Sequence, residues 1–129
     1  MSSTLKNPGI PDAGTANLSL FAHHPLPTWV VDRNHFNVRF SNEAALRLYG
    51  YTAEEFLQTS FLDLFCEESR PVFFHRLLQG DPAFHFVCQH RHSKGSLLKI
   101  TLYLSLLDAG HLLASAVELG DQAPGRLQD

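Results

Sequence analysis

Cysteine is scarce in this chain of 129 residues: Cys66 and Cys88 are the only two, and they form no CxxC pair. That excludes a disulfide framework and suits a reducing compartment. Charge is thin as well, with 13 acidic against 10 basic residues, a formal net charge of −3 and no basic run. Nucleic-acid binding draws on clustered Lys and Arg, so no nucleic-acid partner is expected. No apolar run approaches the roughly 18 residues of a membrane span, and the N-terminal stretch lacks the continuous apolar core of a signal peptide. A P-loop, a GxGxxG turn, an ordered Ser-His-Asp set and paired catalytic carboxylates are all missing. Asp32 reads as a turn residue and Glu54-Glu55 as helix-capping acids, so an enzyme has no positive support. The expectation is a small cytoplasmic domain with no catalytic residues and no membrane contact.

What the chain does have is apolar mass: 44% of it is hydrophobic, and it carries ten Phe. That is too much for a disordered chain. One domain of this size should bury roughly two-thirds of its unfolded surface without help from metal or disulfide. Residues 1–16, punctuated by Ser, Pro and Gly, read as a flexible leader, and residues 120–129 as a flexible tail in which Pro124 blocks any helix. The folded unit is expected over residues 17–119.

Within that unit Asn17 can cap a short helix carrying Leu18, Phe21 and Ala22, stopped by Pro25 and Pro27. Thr28 to Asp32 is β-rich, Arg33-Asn34 turns the chain, and Phe36, Val38 and Phe40 alternate with polar residues as a half-buried strand does. Ser41 or Asn42 then caps a helix with Ala45, Leu48 and Tyr49 on one face, ended by Gly50 in a left-handed conformation. Thr52 and Glu55 have capping-box spacing and open a short helix with Phe56 and Leu57. A third helix is expected from about Glu67 to Gln79, with Pro71 in its first turn. Phe84, Phe86 and Cys88 alternate in a strand. A turn at Ser93-Lys94-Gly95-Ser96 leads into the clearest period-two run, Leu98 to Leu106. Asp108-Ala109-Gly110 turns into a last strand, Leu112 to Leu119. The order β-β-α-α-α-β-β-β predicts an α+β domain, an antiparallel sheet with helices on one face.

Three stretches carry a family resemblance. Pro25-Leu26-Pro27-Thr28-Trp29-Val30-Val31-Asp32 resembles the opening strand of the PAS domains of bacterial signalling proteins. Ser41-Asn42-Glu43-Ala44-Ala45 with Tyr49-Gly50-Tyr51-Thr52-Ala53-Glu54-Glu55-Phe56-Leu57 is similar to their N-x-A and GY[ST]xEEL signature. Arg91-His92-Ser93-Lys94-Gly95-Ser96-Leu97-Leu98 resembles their RRKDGS hairpin. The resemblance spans about residues 18–119. It implies a five-stranded sheet in the order 2-1-5-4-3, a pocket under the helices, and a sensory and dimerisation module. Such a module serves an attached histidine kinase, cyclic-dinucleotide or transcription-control domain. Relatives usually continue into a D-[IV]-T stretch and a coiled coil, which Leu119-Gly120-Asp121-Gln122 only approximates.

Pocket walls are expected from Trp29, Phe40, Phe61, Phe65, Phe74, Leu78, Phe86 and Tyr103, which suit a small apolar ligand. Ten Phe would also simply fill a small core. Haem-binding relatives use a His before the third strand, where His75 is the candidate. At about 100° per residue the stripe Phe73, Leu77, Phe74 and Leu78 centres near 70°, and His75 lies roughly 130° away, facing water. Photosensing relatives bond flavin through a Cys in an NCRFLQ-like stretch, whereas Cys66 is followed by Glu-Glu-Ser-Arg and is expected to be idle. His90 and His92 share a strand face, with His23, His24 and His85 elsewhere, but a zinc site needs further ligands. Both read as solvated strand-end residues, and no haem, flavin or metal is expected. The helix with Leu18, Phe21 and Ala22 is too short to stand alone in water. It is expected to pack on the outer sheet face and join a homodimer.

Overall fold

The computed structural model describes residues 22–120. The expected N-terminal helix, with Leu18 and Phe21, lies outside them. Ala22 stands at their edge, where its carbonyl accepts from the Glu43 N–H at 3.3 Å. Five strands form one antiparallel sheet: β1 Thr28–Asp32, β2 Val38–Ser41, β3 Ala83–Arg91, β4 Leu97–Asp108 and β5 His111–Glu118. Their order is β2-β1-β5-β4-β3, as the resemblance implies. Between β2 and β3 run α1 Glu43–Tyr49, α2 Ala53–Leu57, α3 Phe61–Leu64, a 3₁₀ turn Glu67–Ser69 and α4 Arg70–Leu78.

Local chemistry sets these boundaries. Asn42 is nearly inaccessible and does two jobs: its Oδ1 caps α1 by accepting from Ala45 N–H at 2.9 Å, and it accepts from Thr28 N–H at 3.0 Å. Its Nδ2 donates to the Leu26 carbonyl at 2.8 Å. One side chain thus fixes where the helix starts and where the first strand begins. Thr52 and Glu55 form the expected capping box, with bonds of 3.1 and 3.0 Å. Asp32 closes the first hairpin by accepting from the Asn34 and His35 N–H groups. Burial pushes the Asp32 carboxyl up, but these backbone bonds outweigh it and hold it below its ordinary value.

The single turn of α3, capped by Ser60, has no counterpart in the sequence reading. Four residues are too few to show a helical period. The strand expected from Phe36 begins only at Val38, because Phe36 adopts φ +61° in the hairpin. There its ring meets Phe73 and Phe74.

Gly50 has φ +80°, and a Cβ there would run into the His92 ring and the Ser93 hydroxyl. Ser93 also donates from its N–H to the Tyr49 carbonyl at 2.8 Å and from its hydroxyl to the Gly50 carbonyl at 2.7 Å. The end of α1 is therefore latched to the β3–β4 hairpin. Gly50→Ala should destabilise the domain by about 1–3 kcal/mol, since a left-handed backbone and the overlap act together. A urea melt showing stabilisation would contradict this.

Strand register sorts the side chains. Phe84, Phe86, Cys88 and His90 of β3 pair with Leu104, Leu102, Ile100 and Leu98 of β4, on the face covered by helices. Ala114 and Ala116 of β5 extend that face with small side chains opposite Leu104 and Leu102. The intervening residues of each strand point to the outer face.

Candidate functional site

Beneath the helices lies a cluster of close-packed rings. Trp29 meets Tyr49, Phe56 and Phe61 edge to face at centroid separations of 5.3, 6.1 and 6.0 Å. Phe61, Phe65 and Phe73 form a second group, and all three are fully buried. His90 sits where the two groups join. Its ring lies 6.5 Å from Trp29, 5.6 Å from Tyr49 and 4.5 Å from Phe65.

Histidine in such a place requires an explanation. His90 has no exposed surface, and its Nδ1 is 2.6 Å from the Tyr49 hydroxyl. Burial lowers its pKa to about 3, so it is neutral at physiological pH. Burial also raises the Tyr49 hydroxyl well above its ordinary value, and this group too keeps its proton. The polar pair is therefore a neutral hydrogen bond inside an apolar cluster. Tyr49→Phe would leave Nδ1 of His90 buried without a partner, at a cost of about 1–3 kcal/mol. In Tyr49→Phe/His90→Phe the loss should be partly recovered, and a double-mutant cycle that sums without coupling would contradict the bond's role.

The sequence reading put His90 at a solvated strand end, and the structure corrects it. The signal was present, because His90 continues the period-two row of Phe84, Phe86 and Cys88. Tyr49, Phe56 and Phe73 belong to the ring cluster and were not among the expected pocket walls. Of the expected walls, Trp29, Phe61 and Phe65 lie together in the buried ring cluster, and Phe86 packs partly buried against the core while stacking on Phe84.

The other four are displaced. Tyr103 alternates with Leu102 and Leu104 and lies on the outer face, 46% exposed, stacked on His85. Phe40 follows the register shift between Val30 and Val31 and pairs with Val30, which also faces outward. Helix α4 is turned so that Phe73 and Leu77 face the core, leaving Phe74 at the rim and Leu78 85% exposed. His75 is exposed, on the side of α4 away from Phe73, and its Nε2 lies 3.2 Å from the Gln79 side-chain nitrogen.

An open cleft of about 520 Å³ lies outside the ring cluster, lined by Gly50, Tyr51, Glu55, Gln58, Thr59 and Ser93. Tyr51, Phe56 and Tyr49 stack in a column at 5.6 and 5.7 Å between that cleft and His90. On the outer face, a groove of about 310 Å³ is bordered by Ala83, His85, Tyr103, Ser105, Leu113 and Ser115.

The sequence profile described as the PAS domain matches residues 25–113. The chain belongs to the PAS domain family. PAS domains are in general regulatory sensor modules, and this one has the architecture of PAS domains in sensor kinases. A PAS domain from a two-component sensor histidine kinase superposes with a TM-score of 0.70 at 14% identity, covering 83% of this chain and 96% of its own. A domain of a sensory box sensor histidine kinase/response regulator from Geobacter sulfurreducens gives 0.66 at 22%, covering 81% and 92%. The LOV protein of Rhodobacter sphaeroides gives 0.74 at 17%, covering 88% and 71%. These identities are low, and the likeness is one of fold. A search of curated protein sequences returned no match.

Cofactor chemistry of the photosensing kind does not fit this PAS domain. Cys66 stands outside the core cluster, and its thiol reaches Ser69 and Gln89 at the edge of the 3₁₀ turn. Cys88 does face the core, but burial and the neighbouring Cys66 push its thiol up to about 12, far from a reactive thiolate. His75 is exposed and belongs to no part of the core cluster. Among the described residues, no three His, Cys, Asp or Glu side chains gather around a common point, and no helix is long and apolar enough to cross a membrane.

Proposed function

We propose that this PAS domain, folded over residues 17–119, is a sensor and dimerisation module of a bacterial cytoplasmic signalling protein, binding a small apolar molecule beneath its helices. Its output would be an attached kinase, cyclic-dinucleotide or transcription-control domain, and the proposal assigns it no reaction of its own. The supporting observation is the buried Tyr49–His90 pair. A core built only for packing gains more from apolar side chains, because burying polar groups costs solvation that one hydrogen bond barely restores. Denaturing extraction of freshly purified protein followed by mass spectrometry is expected to release a small molecule near one equivalent. Protein that is empty by this test, or that shows a Soret or flavin absorption band, would overturn the reading.

The dimer is proposed to form between outer sheet faces, with a second copy of this chain as the occupant. Val87 of β3 and Val117 of β5 flank Thr101 of β4, two residues along the strand from Tyr103, and Val87, Tyr103 and Val117 are 56, 46 and 43% exposed, an apolar patch across three adjacent strands that a small monomer usually keeps polar. The expected partner surface includes the segment with Leu18, Phe21 and Ala22. Sedimentation at tens of micromolar should give a dimer for wild type and a monomer for Tyr103→Glu/Val117→Glu. A monomeric wild type, or a variant that still dimerises, would refute the arrangement.

A further inference from the structure

The open cleft beside the ring cluster has a wall whose chemistry the proposed function leaves unused. Its volume of about 520 Å³ has room for a small molecule, and its lining is Gly50, Tyr51, Glu55, Gln58, Thr59 and Ser93. Formal charge on that wall comes from Glu55 alone, since among the described residues no Lys, Arg or His lines the cleft. Glu55 Oε1 accepts from the Thr52 N–H at 3.0 Å in the capping box. Its Oε2 bonds to no described residue, and Glu55 takes part in no ion pair among them. Two helix ends add charge of the same sign. Helix α1 closes at Gly50 and α2 at Gln58, and the C-terminal end of a helix carries partial negative charge. Tyr51 supplies the apolar part of the wall. One face of its ring stacks on Phe56 at 5.6 Å, and among the described residues no other ring covers it.

A ligand in this cleft meets one carboxylate, two partial negative ends and the face of a phenol ring. An anion would be repelled by Glu55, with no cation on the wall to balance it. A neutral alkyl group could lie on Tyr51 but would gain nothing from the carboxylate. A hydrated metal cation needs several oxygen ligands and finds one carboxylate. An alkylated ammonium ion uses both features: carboxylate and ring quadrupole attract its charge together, while its alkyl groups cover the ring. We propose that the cleft is a binding site for a small organic ammonium ion, held between the Glu55 carboxylate and the uncovered face of Tyr51. Gln58, Thr59 and Ser93 add amide and hydroxyl groups for polar substituents of that ion. This second site is separate from the one proposed beneath the helices and stands or falls without it.

Choline and dimethylbutanol, in which a quaternary carbon replaces the ammonium nitrogen, form a probe pair matched in shape and differing in charge. Titrated into the ¹⁵N-labelled full chain at low salt, choline is expected to shift the amide resonances of Tyr51, Gln58, Thr59 and Ser93. It should bind about tenfold more tightly than dimethylbutanol, the factor that one cation–π contact and one exposed ion pair supply together. Added salt should weaken choline binding and leave dimethylbutanol unchanged, because the attraction between charges is screened. Glu55→Gln keeps an acceptor for the capping box and removes the charge, so most of the choline advantage should vanish in a variant that still folds. Tyr51→Leu keeps apolar bulk without the ring and should weaken choline binding several-fold. Equal binding of the two probes to wild type would overturn the proposal. Shifts confined to residues outside the cleft, or Glu55→Gln that binds choline as wild type does, would overturn it as well. Should Tyr51→Leu fail to fold, the probe pair on wild type and on Glu55→Gln decides.

Discussion

Lowering the pH from 6.5 to 4 is expected to destabilise this PAS domain by about 3 kcal/mol, a slope near 1.4 kcal/mol per pH unit. The cause is His90, whose pKa falls from an ordinary 6.5 to about 3 on burial in the folded chain. Between those values the unfolded chain binds a proton that the folded chain does not. Unfolding then takes up a proton, and acid favours the unfolded state. The contribution is fully present above pH 6.5 and is lost progressively as pH falls toward 3. Asp32 and Asp108 are held below their ordinary 3.8, so their stabilisation is lost only at lower pH and leaves the window to His90. Such a loss is large against the total stability of about 5–15 kcal/mol of a typical domain. Urea melts across pH should show the slope in wild type and a flattened profile in His90→Phe. Equal slopes in both would show that His90 is not the titrating group.

Shortening Leu102 or Ile100 to Ala should cost about 2–5 kcal/mol each, the range for large-to-small changes in a rigid core. Both are fully buried at the middle of β4, between Phe86 and Cys88 of β3 and Ala116 and Glu118 of β5. Close packing leaves little freedom for neighbours to collapse into the space. Ala114 and Ala116, with small side chains on the adjoining strand, cannot extend to fill it. The exposed neighbour Lys99 provides the control, since Lys99→Ala should change stability by no more than about 0.5 kcal/mol. A loss under about 1 kcal/mol at Leu102 would mean that the strand's faces are assigned the wrong way round.

Most of the local structure is legible along the chain, because caps, turns and strand periods are set by neighbouring residues. Thr52 with Glu55, Gly50 at the end of α1, and the alternation from Leu98 to Leu104 needed nothing from elsewhere in the fold. Period two also fixed the outward face of Tyr103 and the inward face of His90, against the expected pocket wall in the first case and the expected solvated strand end in the second. Other features were decided only by tertiary structure. The side occupied by Phe40 depends on a register shift between paired strands, which no pattern within β2 encodes. Which half of the α4 stripe is buried depends on where Phe36, Phe61 and Phe65 meet it, and that contact turned Phe73 inward and Leu78 out to water. The bond between Tyr49 and His90, 41 residues apart, forms where α1 is latched through Gly50 and Ser93 to the β3–β4 hairpin. Periodicity names the face of an element, and packing against distant elements decides what that face meets.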